Sequence, residues 1–147
     1  NGNSVYETTS GIDNIFKIFK FAADNTNVEW AVHRGQGDEY LIGTSHNEDG
    51  VDKYHILAGK SRDELPVASI HSHPDIPANN YDERYSMRND WDDTKYEVNT
   101  YEYHHRMNYV YFPHSKNLYH VEYGGVRYIR CIGKDYRGFY FGTLNHK

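Results

Sequence analysis

The clearest hydrophobic pattern lies near the start of the chain, between Ser10 and Asp24. Apolar residues recur there at the spacing of one helix face, at Ile12, Ile15, Phe16, Phe19, Ala22 and Ala23. Ser10 is a suitable N-cap, and Asp13 adds negative charge to the first turn. Turn residues follow Asp24, so the pattern predicts an amphipathic helix over Ser10–Asp24.

Shorter apolar runs bounded by turn residues predict strands. The first two, Val28–Arg34 and Glu39–Thr44, flank a Gly-x-Gly loop that suits a hairpin turn and precedes no helix, so it does not indicate a phosphate site. Further strands are predicted at Tyr54–Ala58, Pro66–His73, Tyr109–Phe112, Leu118–Tyr123, Val126–Ile132 and Phe139–Leu144.

The stretch between the histidine-rich strand and the later strands is polar. Asp75–Tyr85 contains Pro77 and alternating charges and is predicted to be a surface loop. A helix is predicted from about Ser86 to His105, beginning within Ser86–Asp93, with Trp91, Tyr96 and Tyr103 as its buried side. The order of elements predicts one α/β or α+β domain, in which helices cover a mixed sheet.

Composition narrows the class of protein. The length of 147 residues fits one domain, and 15 tyrosines with 6 phenylalanines can supply a core although apolar residues make up only 37%. The net charge of −5 argues against a nucleic-acid-binding module, and no apolar run reaches membrane-spanning length. No signal peptide is evident, and the start without methionine predicts a domain from the C-terminal part of a longer protein.

The candidate chemistry lies in Ile70-His71-Ser72-His73-Pro74. Alternate residues of a strand share a face, so His71 and His73 would project together from the sheet, where Pro74 ends the strand. Two neighbouring imidazoles can supply two nitrogen ligands to one metal ion. The single cysteine, Cys131, lies in a predicted strand and is expected to be a small core residue rather than a nucleophile.

A catalytic zinc site needs a third protein ligand and a separate carboxylate that takes a proton from the metal-bound water. The tract that follows the histidines is rich in acidic residues that could be that third ligand. They are Asp75, Asp82, Glu83, Asp90, Asp92 and Asp93.

These residues together resemble the JAMM family of zinc metallopeptidases, whose motif is His-x-His-Pro followed by Ser-x-x-Asp. The family also has a glutamate in a strand after its first helix, which is the place of Glu29 here. The resemblance covers roughly residues 10–123 and implies an α/β/α sandwich of the cytidine-deaminase-like type. It implies that His71, His73 and Asp90 bind Zn²⁺.

The resemblance also implies roles for two further residues. Glu29 would be the general base that carries the proton to the leaving amine, and Ser86 would help to hold the oxyanion. The reaction would be hydrolysis of a peptide or isopeptide bond.

The sequence departs from the family pattern at the third ligand. The eleven residues Asp75–Tyr85 separate Pro74 from Ser86, which is farther than usual, and Ser86 precedes Asp90 by one residue too many. Asp90 is favoured because it keeps the serine and precedes Trp91, and Asp92 and Asp93 remain alternatives.

The chain also resembles the JAB-like toxin domains of bacterial polymorphic toxins. That resemblance implies a secreted effector that acts in the cytoplasm of a target cell, with a protein or peptide substrate and a cognate immunity protein as partners. Neither nucleic acid nor membrane is expected as a partner. The alternatives are a metal-free scaffold of the same fold that binds other proteins, and a zinc hydrolase of a non-protein amide.

Overall fold

A computed structural model describes residues 4–8, 12–34, 40–44, 68–101 and 107–132 of the chain. Seven strands and three helices lie within these ranges. In chain order they are β1 (Ser4–Thr8), α1 (Ile12–Asn25), β2 (Trp30–Arg34), β3 (Tyr40–Thr44), β4 (Ala68–Ser72), α2 (Asn80–Ser86), α3 (Arg88–Tyr101), β5 (Met107–Phe112), β6 (Asn117–Glu122) and β7 (Gly125–Cys131).

The described strands form one mixed sheet in the order β1-β3-β2-β4-β5-β6-β7. The pairing of β4 with β5 is parallel, and every other neighbouring pair is antiparallel. β4 lies at the centre of the sheet, where His71 is paired with Ala31 of β2 on one side and with Val110 of β5 on the other. Both flanks of the histidine strand are therefore hydrogen-bonded, which fixes the backbone from which its side chains project.

The two faces of the sheet are packed differently. α1 covers one face with a buried cluster that includes Phe16, Phe19, Ile70 and Tyr111. A second buried cluster, on the face that carries α3, joins Met87 to Val110, Phe112, Tyr119 and Val121. The alternation of β5 explains the division, since Tyr109 and Tyr111 face α1 while Val110 and Phe112 face the other way. The result is a layered α+β domain with helices on both faces.

Most of the predicted elements are confirmed with shifts of one or two residues at their ends. The helix predicted over Ser10–Asp24 is α1, and the expectation that aromatic residues supply the core is confirmed by fully buried Tyr109, Tyr111 and Tyr119. β1 was not predicted. The strands predicted at Tyr54–Ala58 and Phe139–Leu144, and the N-cap at Ser10, lie outside the described residues.

The prediction of a surface loop over Asp75–Tyr85 is wrong for its second half, which forms α2. The helix begins after Asn79, whose side-chain oxygen accepts a hydrogen bond from the Asp82 backbone N–H at 2.8 Å. Asp82 and Glu83 add negative charge to the first turn. A capped start outweighs the absence of an apolar stripe in this short helix.

Two burial predictions are also wrong. Tyr96 is 59% exposed, because the inward face of α3 carries Thr94, Glu97 and Val98 instead. That face is largely polar, so hydrophobic periodicity points to the wrong side of the helix. Cys131 is exposed at the end of β7 on the sheet edge and is not a core residue. No helix in the described part of the chain is long and apolar enough to cross a membrane.

The end of α1 is fastened to the sheet by the carboxylate of Asp24. It accepts hydrogen bonds from Lys20 at 2.6 Å and from the Tyr111 hydroxyl at 2.8 Å, and it pairs with Lys116 at 3.0 Å. Burial alone raises the pKa of Asp24, but these partners outweigh it, so the pKa lies below its usual value.

We predict that Asp24→Asn lowers the free energy of unfolding by about 1–3 kcal/mol at pH 7, because charge-assisted hydrogen bonds are lost. A carboxylate with a depressed pKa stabilises the fold above the pKa of the unfolded state and ceases to do so as the pH falls through the folded pKa. The difference between wild type and variant should therefore narrow in urea titrations below about pH 4. A difference as large at pH 3 as at pH 7 would contradict this account.

Candidate metal site

His71 and His73 project from the sheet face opposite α1, where the end of β4 meets β5. Ile70 points into the α1 core, so alternation turns His71 to the other face. His73 follows the last residue of β4, but its backbone N–H still donates to Tyr111 O at 3.0 Å and continues the ladder. The Nε2 atoms of the two imidazoles lie 3.2 Å apart. The predicted pair of ligands is thus brought together.

Glu29 reaches the same spot from the neighbouring chain segment. It lies directly before β2, not within a strand as predicted, and extension of the β2–β4 register sets it opposite His73. Its carbonyl accepts a hydrogen bond from Thr44 Oγ1 at 2.6 Å, and the next N–H, of Trp30, donates to Ser72 Oγ at 3.0 Å. Backbone contacts on both sides therefore fix the position from which the Glu29 side chain extends.

The Glu29 side chain is 8% exposed, and one of its oxygens lies within 4.8 Å of a nitrogen of each histidine. A carboxylate at this distance from two imidazoles can bind the same ion or accept a proton from a water that does.

Asp90, in the first turn of α3, contacts the two histidines from the helix that covers this face of the sheet. Its Oδ1 lies 2.8 Å from His71 Nε2, and its Oδ2 lies 3.2 Å from His73 Nε2. Neighbouring ligands of a tetrahedral zinc ion with bonds of 2.0–2.1 Å lie about 3.3 Å apart. The contacts of Asp90 with the two imidazole nitrogens, at 2.8 and 3.2 Å, are near or somewhat below this spacing, so Asp90 is a candidate ligand beside the histidines, as is Glu29.

The other two candidates for the third ligand are less closely associated with the histidines. Asp92 points outward, with a side chain 69% exposed and paired with Lys95 at 3.5 Å. Asp93 is exposed at the rim of the cleft that the histidines line. Of the three aspartates, Asp90 is the one that contacts both imidazoles.

The electrostatics of Asp90 match its position. Burial by itself raises the pKa of this carboxyl, but the charges and hydrogen bonds of His71 and His73 outweigh the burial and hold the pKa well below its usual range. Asp90 is consequently ionised at neutral pH, which is the state in which a carboxylate binds a metal ion.

Ser86, the last residue of α2, contacts the far side of the His73 ring. Its Oγ lies 2.9 Å from His73 Nδ1 and donates a hydrogen bond to the Glu83 carbonyl at 2.7 Å. The hydroxyl is thus on the Nδ1 edge of the imidazole, whereas the Nε2 edge faces His71 and Asp90.

The group opens into a cleft of about 520 Å³ between α3 and strands β2, β4 and β5. Glu29, His71, His73 and Asp90 line one end. The inner part is polar, with His33, Ser69, Thr94, Glu97 and Asn108 among its lining residues. This volume lies within the range of pockets that bind ligands.

Comparison with known families found a match that covers more than half of the chain. Residues 7–97 match the sequence model of a family described as JAB-like toxin 1. The chain belongs to the JAB-like toxin 1 family. The matched stretch contains Glu29, both histidines, Ser86 and Asp90, so all the site residues predicted from the sequence lie within the family match. Searches of curated proteins and of solved structures found no match.

Sequence analysis of this JAB-like toxin domain missed the polar inner part of its cleft. His33 is buried, and its Nδ1 lies 2.6 Å from Ser69 Oγ. Glu97 is buried two turns beyond Asp90 on the same face of α3. Two sequence patterns could have indicated these residues: Glu29 and His33 share one face of a strand, and Asp90 and Glu97 share one face of a helix. Both patterns are informative only once it is known that the strand and the helix face the same cleft.

Proposed function

We propose that this domain is a zinc-dependent hydrolase that cleaves a peptide or isopeptide bond, as the toxin component of a secreted bacterial protein. The observation that carries the proposal is the mutual approach of His71 Nε2, His73 Nε2 and the Asp90 carboxylate, with Glu29 beside them in a cleft. Membership of the JAB-like toxin 1 family supports the toxin part.

His71, His73 and Asp90 would hold the zinc ion. When bound, zinc polarises the scissile carbonyl and lowers the pKa of its water to about 7. Asp90 would bind the ion as an ionised carboxylate.

Glu29 would act as the general base. Its carboxylate lies within 4.8 Å of the histidine nitrogens, which is close enough to take a proton from a water bound to an ion held there. Glu29 would accept a proton from the attacking water and then give it to the nitrogen of the leaving amine. Its burial removes competing solvent, so the proton stays with the reacting groups.

The substrate and partners follow from the proposed class. A protein or peptide chain would lie along the cleft, and an immunity protein of the producing cell would block it. The predicted role of Ser86 in holding the oxyanion stays a prediction; the hydroxyl already contacts His73 Nδ1 and the Glu83 carbonyl.

We predict about one zinc ion per purified wild-type chain after dialysis, measured by elemental analysis, and its loss in His73→Ala and Asp90→Asn. Asp92→Asn is the matched control, because it removes the same charge from an outward-facing position on the same helix. Wild type without stoichiometric zinc would favour the metal-free scaffold. Zinc retained in Asp90→Asn but lost in Asp92→Asn would show that Asp92, and not Asp90, binds the ion.

We predict that Glu29→Gln keeps the zinc and lowers hydrolysis by about 10²–10⁴-fold, the usual contribution of a positioned base. The readouts are zinc content, digestion of a peptide library followed by mass spectrometry, and growth of cells that express the domain. Glu122→Gln, an exposed carboxylate outside the cleft, is the control. Full activity in Glu29→Gln would mean that another group takes the proton.

A further inference from the structure

The residues between Pro74 and Ser86, which are more numerous than in the JAMM motif, form a structural support for His73. They include α2, whose Glu83 is 0% exposed, while Tyr81, Arg84 and Tyr85 on the same helix face solvent. Short helices usually dock through apolar side chains, because burial of a charged carboxylate is costly. A buried glutamate on so short a helix therefore needs a specific set of partners.

Those partners are side chains of β6. Glu83 Oε1 accepts hydrogen bonds from the Tyr119 hydroxyl at 2.7 Å and from Asn117 Nδ2 at 3.0 Å. Tyr119 is itself fully buried against Phe112, whose ring packs edge-on against His73. The carboxylate of Glu83 thus anchors α2 to β6 through hydrogen bonds, next to the aromatic pair in which Phe112 packs against the His73 ring.

The protons of the Ser86 hydroxyl and the His73 ring can be assigned from hydrogen-bond balance. A hydroxyl has one proton, and a backbone carbonyl can only accept, so Ser86 Oγ donates to Glu83 O. The contact of 2.9 Å with His73 Nδ1 then requires the ring nitrogen to donate. With a proton on Nδ1, His73 would bind a metal ion through Nε2, the ring atom that faces His71 and Asp90.

We propose that Ser86 and Glu83 are positioning residues for His73: Ser86 fixes the ring and its Nδ1–H tautomer, and Glu83 holds the helix that carries Ser86. The inference rests on the proposed zinc site. It gives the Ser86 hydroxyl a different task from holding an oxyanion, because its proton is already donated to the Glu83 carbonyl. Outer hydrogen bonds of this kind commonly change metal affinity by 10–100-fold.

The first test is the affinity for Zn²⁺, measured by competition with a chromophoric chelator. Ser86→Ala should bind zinc about 10–100-fold more weakly than wild type, and Ser86→Thr, which retains a hydroxyl, should stay within a few-fold. Tyr81→Phe is the control, since it removes a hydroxyl from the solvent-facing side of the same helix, outside the cleft. Unchanged zinc affinity with slower hydrolysis in Ser86→Ala would overturn the proposal in favour of the oxyanion role.

The second test is a double-mutant cycle between Ser86 and Glu83. If Glu83 acts through Ser86, the double variant Glu83→Ala/Ser86→Ala should bind zinc about as weakly as the weaker single variant. If the losses in zinc affinity of the two single variants multiplied in the double variant, the two residues would act independently, and the proposal that Glu83 acts through Ser86 would be refuted. Should Glu83→Ala fail to fold, Glu83→Gln replaces it, because the amide keeps the shape of the side chain.

The third test does not depend on zinc. In ¹⁵N-histidine NMR spectra of the zinc-free protein, His73 should carry a proton on Nδ1 that exchanges slowly with water and that exchanges faster in Ser86→Ala. A His73 ring without a proton on Nδ1 would overturn the proposal. A wild-type protein that binds no zinc but shows this proton would refute the proposed function and leave the hydrogen bond intact.

Discussion

The alternation of side chains along β4 is the constraint on which the site depends. Ile70 faces the α1 core, while His71 and His73 face the cleft. A slip of one residue would exchange these faces and place both imidazoles in an apolar core. Pairing with β2 on one side and β5 on the other excludes that slip. The packing of the core and the placement of the ligands are therefore two consequences of one register.

The side chains around the two histidines are polar and partly buried, which is unfavourable unless their polar atoms are hydrogen-bonded. Neighbouring residues supply those hydrogen bonds. The Trp30 N–H donates to Ser72 and the Glu29 carbonyl accepts from Thr44, and these two hydrogen bonds fix the backbone at Glu29, the proposed general base. On the other side of His73, α2 supplies Ser86 and is held by a buried carboxylate. The proposed ligands are thus positioned by paired strands and by hydrogen bonds from neighbouring residues. Such positioning is what keeps several side chains close enough to bind one ion.

Much of the fold and half of the site could be predicted from local patterns. The apolar stripe of α1 and the alternating or apolar runs of the strands depend on neighbours in sequence, so they can be read without knowledge of the fold. The pair His71 and His73 follows from a strand period of two. Glu29 could be placed only through the resemblance to a family, because a lone glutamate before a strand carries no local signal.

The proposed third ligand could not be predicted in the same way. The distance from His73 to Asp90 is set by α2 and by the break between the helices at Met87, which is fully buried. Trp91 N–H donates to Met87 O at 2.9 Å, so α3 begins there and Asp90 falls in its first turn. A hydrophobic anchor and a helix break place Asp90, rather than Asp92 or Asp93, in contact with both histidines, and neither feature follows from motif spacing.

The central claim, that His71, His73 and Asp90 form a zinc site with Glu29 as base, is tested most directly by crystals of the zinc-loaded protein. An anomalous difference map at the zinc edge should show one peak at about 2 Å from His71 Nε2, His73 Nε2 and an Asp90 oxygen, with Glu29 outside the coordination sphere. A map without a peak in the cleft, or a peak bound directly by Glu29 in place of Asp90, would contradict the account.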